Sequence, residues 1–216
     1  MVSRPVSVRT LKPRYLIVAC ILVASFALDS PAREARGAVL HAVPKWLLRS
    51  LSHGGDLVTL AAVVSILFAC GLLARRSRLT RAAVVLASAL TATGLVVLAL
   101  KWLASRGPDG VFYGFGAGDE GIMFPSGHTA MAFAACVVIG TVWRKARWPA
   151  WVIAAGVAVS RATLIHFLSD VVAGAFIGML VGQFVTDWAA KAGFVKLDPD
   201  PRSVRSPIPG GPAQGG

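Results

Sequence analysis

Residues 124–143 read FPSGHTAMAFAACVVIGTVW, a polar start followed at once by an apolar segment. They belong to a run without charged side chains that extends from about residue 121 to residue 143. A helix needs about 20 mostly apolar residues to cross the hydrocarbon core of a bilayer, and roughly 17 is the lower limit. The run is long enough, so it predicts a membrane-spanning helix. Its serine, glycine and histidine either cap that helix or form a site there.

The whole chain has the composition of a membrane protein. Of its 216 residues, 56% are hydrophobic and only 15% are charged, and the mean hydropathy is +0.68. Soluble domains are about 25% charged. We therefore predict an all-α membrane protein, a six-transmembrane-helix bundle that forms one domain over residues 15–190. The other five charge-free runs are 15–28, 57–74, 82–100, 148–160 and 171–186, of which the first and the last two need polar residues at their ends to span.

The net charge of +12 follows a membrane topology. If the N-terminus lies in the cytoplasm, six crossings place 15 of the 22 Lys and Arg residues inside. Cytoplasmic loops carry such an excess, so the basicity requires no nucleic-acid partner. We predict a multi-pass membrane protein whose N-terminus lies in the cytoplasm. Residues 1–14 would be a basic cytoplasmic lead, 29–55 and 105–124 outer loops, and 191–216 a flexible Pro/Gly-rich cytoplasmic tail.

The N-terminal region has a second interpretation. Its basic start, short apolar run and Ser30-Pro31-Ala32 are typical of a signal peptide with a cleavage site. Cleavage would leave the remaining topology unchanged, because residue 33 would still begin outside. In the outer loop that follows, the helical spacing of residues 38–51 predicts an amphipathic surface helix, which Pro44 would kink or split.

The last apolar run contains Gly174, Gly178 and Gly182, each four residues after the one before. Small residues at this spacing let two helix backbones approach closely, so we predict a helix-packing face. The same step extends back through Asp170 to His166. If the helix continues that far, these two polar residues end the packed face.

Polar residues collect near the ends of the predicted helices on the outer side. A charge near the centre of a membrane segment costs at least about 2.5 kcal/mol, so such residues tend to have partners and a function. Cations and the free amides of a helix N-terminus bind anions, and fixed cations stabilise a phosphoryl group in transfer. Of two histidines, one can attack phosphorus while the other protonates the leaving oxygen. The residues concerned are Lys101, Arg106, His128, Arg161, His166 and Asp170.

The carboxylates in this set favour chemistry without a metal. Asp170 follows His166 by four residues, a spacing at which it can hold the imidazole and fix its tautomer. Asp119 and Glu120 of the outer loop are adjacent, and adjacent side chains point apart. We therefore predict phosphoryl chemistry with no metal and no cofactor.

Two stretches carry the pattern of a known family. Pro125-Ser126-Gly127-His128 is followed downstream by SRATLIHFLSD, residues 160–170, which contains Ser-Arg and then His-x-x-x-Asp. In these stretches, and in helix order over about residues 50–190, the chain resembles the type 2 phosphatidic acid phosphatase family. That family includes bacterial lipid phosphatases, glucose-6-phosphatase and vanadium haloperoxidases.

The resemblance implies a lipid phosphatase in the bilayer with its site on the extracytoplasmic side. His166 would be the nucleophile that forms a phosphohistidine, Asp170 would orient it, and His128 would be the general acid and later the base for water. The substrate would be a lipid phosphate monoester or diphosphate, of the undecaprenyl diphosphate, phosphatidate, phosphatidylglycerophosphate or lipid A type. The phosphate would be held by Lys101, Arg106, Ser126, Gly127 and Arg161.

The chain departs from the family pattern at two places. The family has Arg-Pro after a lysine and six residues, whereas this chain has Pro108-Asp109 there and offers Arg106, five positions after Lys101. The family has five residues between the arginine and the histidine of the third motif, but only four separate Arg161 from His166. One residue fewer rotates a helical side chain by about 100°, which a loop between the two would absorb.

Two other functions stay open on the sequence alone. The same phosphohistidine could pass its phosphate to a second lipid, which would make the protein a phosphotransferase. Alternatively, the fold could serve a non-catalytic lipid-binding protein or a transporter. Transporters place their polar residues near the membrane midplane, whereas those of this chain lie at one face.

Overall fold

The structure, a computed structural model, describes residues 13–115 and 123–195. Most of the predicted lead and tail, together with Asp119 and Glu120, lies outside the described residues. The described part is helical apart from turns and one isolated bridge between Arg106 and Phe112, so the all-α prediction is confirmed. The α-helices are α1 (Pro13–Ala27), α2 (Asp29–Ala42), α3 (Lys45–Ser52), α4 (Leu57–Leu73), α5 (Ser77–Ala104), α6 (Gly127–Val142), α7 (Arg147–Leu164) and α8 (Leu168–Lys191), with 3-10 turns at His53–Gly55 and Arg144–Ala146.

The predicted apolar runs correspond to α1 and to α4 through α8. Within the described residues, α5 and α8 are each long and apolar enough to cross a membrane. The segment of α3 and its 3-10 turn, joined to α4 at a bend of 53°, counts as a third span if the two cross together. The apolar helices support a membrane protein, and the number of six crossings stays a prediction.

Large apolar side chains point outward from the bundle. Val58, Leu95, Val152 and Phe184 are between 63% and 75% exposed. A soluble protein rarely leaves so much apolar surface uncovered, and the acyl chains of a bilayer would cover it. The buried core between α4, α5, α6 and α8 is built mainly from alanine, valine and leucine.

The tightest contact in the bundle joins α6 to α8. The glycines of α8 face the backbone of α6 with no side chain between them, so the predicted packing face is confirmed. A methyl group at Gly178 would overlap the carbonyl oxygen of Ala130. Gly174, Gly178 and Gly182 lie in that order against the backbone of Ser126, Ala130 and Ala134.

This contact sets the beginnings of α6 and α8 side by side. The backbone N–H of Ser126, at the N-cap position of α6, donates to the carbonyl oxygen of Asp170 at 3.0 Å. The first turns of the two motif-bearing helices are therefore held together by a direct hydrogen bond. This hydrogen bond therefore fixes the relative position of the two motifs in any site that uses both.

Pro44 divides the outer segment into α2 and α3, as predicted. The helical region begins earlier than the sequence indicated, at Asp29 instead of residue 38. The first turn of α2 contains Asp29 and Pro31, both of which favour a helix N-terminus. α3 lies on α7, where Leu48 is buried and its carbonyl oxygen accepts the Ser160 hydroxyl at 2.6 Å.

Candidate active site

The predicted site residues all lie at or beside helix ends, and the structure brings these ends to the same end of the bundle. The last turns of α5 and α7 and the first turns of α6 and α8 meet there. The side of the membrane that this end faces stays a prediction. Lys101 lies on α5, Ser126, Gly127 and His128 at the start of α6, Arg161 on α7, and His166 and Asp170 at the start of α8.

His166 lies in the turn between α7 and α8 and is only 5% exposed. Because α8 begins at Leu168, the helix does not continue back to His166, and the condition under which the two polar residues would end the packed face is not met. The reason is the Asp170 side chain, which accepts the Phe167 N–H at 3.0 Å and so caps the helix. The same oxygen of Asp170 lies 3.4 Å from Nδ1 of His166, so the four-residue pair forms across the helix start.

The other ring nitrogen of His166 faces Arg161. The Arg161 guanidinium lies 3.2 Å from Nε2 of His166. A guanidinium can only donate hydrogen bonds, so Nε2 accepts, and the proton of the neutral ring is assigned to Nδ1, toward Asp170. The turn that follows Leu164 absorbs the residue missing from the motif, since Arg161 still reaches the histidine.

The electrostatic surroundings keep His166 neutral. Burial lowers its pKa below the ordinary value of 6.5, and the positive charges of Arg161 and Lys101 lower it further. The hydrogen bond and the charge of Asp170 raise the pKa against these effects. A neutral imidazole with a lone pair on Nε2 can act as a nucleophile. Lys101 is close enough for its charge to act on the His166 ring.

Arg106 lies behind Asp170 and makes four hydrogen bonds to the protein. Its guanidinium donates to Asp170 Oδ1 at 2.7 Å, to the Ser169 hydroxyl at 2.7 Å, to Asp29 Oδ2 at 2.9 Å and to the Gly110 carbonyl oxygen at 3.1 Å. It is 5% exposed. Its role as a phosphate ligand stays a prediction, but every guanidinium nitrogen already has a protein partner.

Aromatic rings enclose the same guanidinium. Its carbon lies 4.0 Å from the ring centre of Phe167, 5.0 Å from that of Phe112 and 5.6 Å from that of Phe26. Such contacts stabilise a desolvated cation. Arg106 therefore has the surroundings of a structural ion pair.

Asp29 is a site residue that the sequence analysis missed. Besides Arg106, it accepts both the N–H and the hydroxyl of Ser169, at 2.9 and 2.7 Å. The available signal was a carboxylate directly after an apolar run, on the side where the cations gather. Cleavage after Ser30-Pro31-Ala32 would remove this carboxylate from the network.

Arg161 differs from Arg106 in what it contacts. Besides His166, it donates to the Ser52 hydroxyl at 3.3 Å, and both partners are uncharged. Its Nε–H is buried and has no hydrogen-bond partner among the residues that the structure describes. A buried donor without a partner requires an explanation, and an anionic ligand supplies one.

The start of α6 is built differently from the expectation of a serine side-chain cap. Ser126 occupies the N-cap position but is fully buried, and its hydroxyl pairs with that of Thr129 at 3.0 Å. Gly127 and His128 are half-buried beside it. The structure thus places the helix start at the site, and the contact of Ser126 and Gly127 with phosphate stays a prediction.

A cavity of about 490 Å³ opens next to His128 and Arg161. Arg49, His53 and Asp56 line it. From sequence, Arg49 and His53 lack motif partners and are interpreted as interfacial residues, with contact to lipid headgroups or substrate left open, whereas Asp56 was missed. Arg49 and His53 lie four residues apart on a short amphipathic helix, and this spacing is the sequence feature that indicates a shared face. The remaining lining residues are Ser52, Leu164 and Ile165.

No three His, Cys, Asp or Glu side chains come together as a metal site in the described parts of the chain. Asp29 and Asp170 are both bonded to Arg106. Independence from metals stays a prediction.

The sequence model of the PAP2 superfamily matches residues 82–194, which include every predicted site residue. No curated protein sequence matches the chain. Among solved structures, the crystal structure of a transmembrane PAP2-type phosphatidylglycerolphosphate phosphatase from Bacillus subtilis is similar, with a TM-score of 0.63 and 22% sequence identity. The similarity covers 82% of this chain and 94% of that one. At this identity it shows a common fold.

Proposed function

Because this chain belongs to the PAP2 superfamily, we propose that it hydrolyses a lipid phosphate monoester or diphosphate through a phosphohistidine, without a metal. The observation that carries the proposal is the hydrogen-bonded row Arg161, His166 and Asp170, which leaves the lone pair of Nε2 on the side of the cations. The phosphatidylglycerolphosphate named for the structural neighbour is one candidate substrate, and undecaprenyl diphosphate, phosphatidate and lipid A are others.

The first step is transfer of the phosphoryl group to His166. The Nε2 lone pair attacks phosphorus while the bond to the leaving oxygen breaks, and the protonated form of His128 gives that oxygen its proton. Nδ1 keeps its proton, and Asp170 stabilises the positive charge that the ring acquires. The products are the lipid alcohol, or lipid monophosphate, and the phosphohistidine.

The second step releases inorganic phosphate. His128, now neutral, takes a proton from a water molecule as its oxygen attacks phosphorus and the bond to Nε2 breaks. His128 is thereby protonated again and His166 is neutral, so each group returns to its starting form. The same residue acts as acid and then as base.

The cations divide into two groups in this proposal. Arg161, with its unpartnered Nε–H, turns from His166 to the equatorial phosphate oxygens, where Lys101 and the N-terminal amides of α6 join it. Arg106 is a positioning residue, because it holds Asp170 and touches no open space. This assignment replaces the phosphate contact that the family pattern implied for Arg106.

The proposed setting is the bacterial inner membrane, with six crossings and the site on the extracytoplasmic side. The distribution of basic residues supports this orientation. A lipid substrate would reach the site by lateral diffusion, since the site lies at the ends of apolar helices.

The test is His166→Ala in detergent-solubilised protein, with His41→Ala on the exposed face of α2 as the matched control. We expect loss of the nucleophile to reduce phosphate release by about 10³-fold or more, and the control variant to keep its activity. Wild-type protein given a radiolabelled lipid phosphate should form an acid-labile, base-stable phosphoprotein that His166→Ala cannot form.

Four outcomes of these assays would contradict the proposal. Unchanged phosphate release from His166→Ala would end the mechanism. Activity lost on addition of a chelator would end the metal-free assignment. Label that passes to a second lipid and not to water would identify a phosphotransferase, and no turnover and no phosphoprotein with any lipid phosphate would favour a non-catalytic protein.

A further inference from the structure

The cavity beside His128 continues the proposed catalytic site toward α3. Arg49, Ser52 and His53 are three and four residues apart, so they share one face of α3 and its final turn. That face lines the cavity. The Ser52 hydroxyl accepts a hydrogen bond from Arg161, so the face is joined directly to the phosphate-binding arginine.

α3 is held in place by its opposite face. Leu48 is 1% exposed, its carbonyl oxygen accepts the Ser160 hydroxyl, and Leu51 packs on Gly156 of α7. Beyond α3, the space for a side chain at Gly55 is filled by the carbonyl group of His128. The polar face of α3 is therefore fixed relative to the proposed general acid.

The charges around the cavity favour an anion. Arg49 and Arg161 contribute two permanent positive charges. Asp56, the one carboxylate among the described residues that line the cavity, caps α4 by accepting the Thr59 N–H at 3.4 Å. A volume of about 490 Å³ lies within the range of small-molecule sites, roughly 300–1,000 Å³.

The position of the general acid indicates which part of the substrate lies in the cavity. A general acid must face the leaving oxygen, so the leaving group lies beyond His128, in the cavity. In a lipid diphosphate the leaving group is itself a phosphate, whereas in a monoester it is an uncharged alcohol. A basic cavity on this side stabilises a phosphate leaving group, but it does little to stabilise an uncharged alcohol.

From this arrangement, and resting on the proposed function, we propose that Arg49 and His53 form a second phosphate subsite that selects lipid diphosphates. The terminal phosphate reacts at His166, and the phosphate next to the lipid binds in the cavity. The bond between the bridging oxygen and the terminal phosphorus breaks, and His128 protonates that oxygen, which leaves with the lipid monophosphate.

The experiment compares farnesyl diphosphate with farnesyl phosphate in detergent micelles, because the two differ only in the second phosphate. We expect Arg49→Gln to lower the ratio of kcat/KM for the diphosphate to kcat/KM for the monophosphate by at least about tenfold, as for loss of a charge-assisted contact. His53→Gln should lower it less. The control is Lys45→Gln, one turn earlier on α3 and outside the cavity lining, which should leave the ratio unchanged.

A binding measurement guards against variants that are poorly folded. Methylenediphosphonate, which cannot be hydrolysed at its bridge, should inhibit wild-type protein more strongly than inorganic phosphate, and Arg49→Gln should lose this preference. Equal losses on both substrates, or an unchanged ratio and preference, would overturn the subsite. If wild-type protein hydrolyses neither substrate, the proposed function itself fails and the subsite with it.

Discussion

The side chains of Asp170 and His166 are each bonded by an arginine, and these two arginines have opposite surroundings. Arg106 bonds the Asp170 end, where it is buried, enclosed by aromatic rings and paired with two carboxylates. Arg161 bonds the His166 end and borders an open cavity, and its hydrogen-bond partners are uncharged. Its buried Nε–H has no hydrogen-bond partner within the described part of the chain. The sequence pattern predicts phosphate binding for both arginines.

The difference shows how one site uses a cation in two ways. A guanidinium whose charge is already balanced by carboxylates has little left to offer a phosphate, but it fixes those carboxylates in space. A guanidinium that faces neutral groups holds its charge available for an anion. Activity and stability should therefore respond differently to the loss of each.

The largest effect is expected for Arg106→Met. It leaves Asp29 and Asp170 buried without a counterion, and breaking a buried ion pair in this way costs about 3–5 kcal/mol. Thermal unfolding in detergent should show a strongly lowered midpoint. Arg106→Lys keeps a cation between the carboxylates, so it should lower the unfolding midpoint less than Arg106→Met does. A wild-type midpoint for Arg106→Met would show that the network does not support the fold.

Arg161→Met should act on catalysis and leave the fold intact. Removal of a cation that stabilises the transferring phosphoryl group costs about 10²- to 10³-fold in kcat/KM, or roughly 3–4 kcal/mol. The unfolding midpoint should stay near that of wild type, because no carboxylate loses its partner. Exposed Arg76 at the start of α5 offers the control variant Arg76→Met. A lowered midpoint with proportionate loss of activity would make Arg161 a second structural arginine.

The smallest effect is expected in the pH profile. In the proposed mechanism the nucleophile is neutral His166, so kcat/KM should fall as the pH drops through its pKa, which burial and the charges of Arg161 and Lys101 hold below 6.5. The acid limb of the wild type should therefore lie below pH 6.5. Because removal of a positive charge raises the pKa of a neighbouring histidine, the limb of Arg161→Met should move to higher pH. If the acid side of the Arg161→Met profile moves to lower pH, or does not move, Arg161 does not lower the pKa of His166.

Features set by neighbouring residues could be predicted from the sequence. Pro44 removes a helical N–H and divides α2 from α3, and the four-residue glycine repeat of α8 marks the face that meets α6. The start of α6 at Gly127 also follows from its local motif. Each of these depends on residues within about two helical turns.

The roles of Arg106 and Arg49 could not be predicted in the same way. Arg106 takes its role from Asp29, which is 77 residues away, and from the rings of Phe26 and Phe167. Arg49 gains its place beside His128 only because α3 docks on α7. A motif states which residue types occur and at what spacing, whereas a partner from another helix decides what a charge can do.

The hydrogen bonds between Asp29 and Ser169 also constrain the order in which the protein matures. They join residues 140 positions apart, Asp29 in α2 and Ser169 in α8. A chain emerging from the ribosome presents Asp29 and Arg106 long before α8 exists, and contacts so distant in sequence form late. Asp170, which orients the nucleophile in the proposed mechanism, is therefore set in place only when α8 has joined the bundle, so a chain in which α8 has not yet inserted would lack the proposed centre.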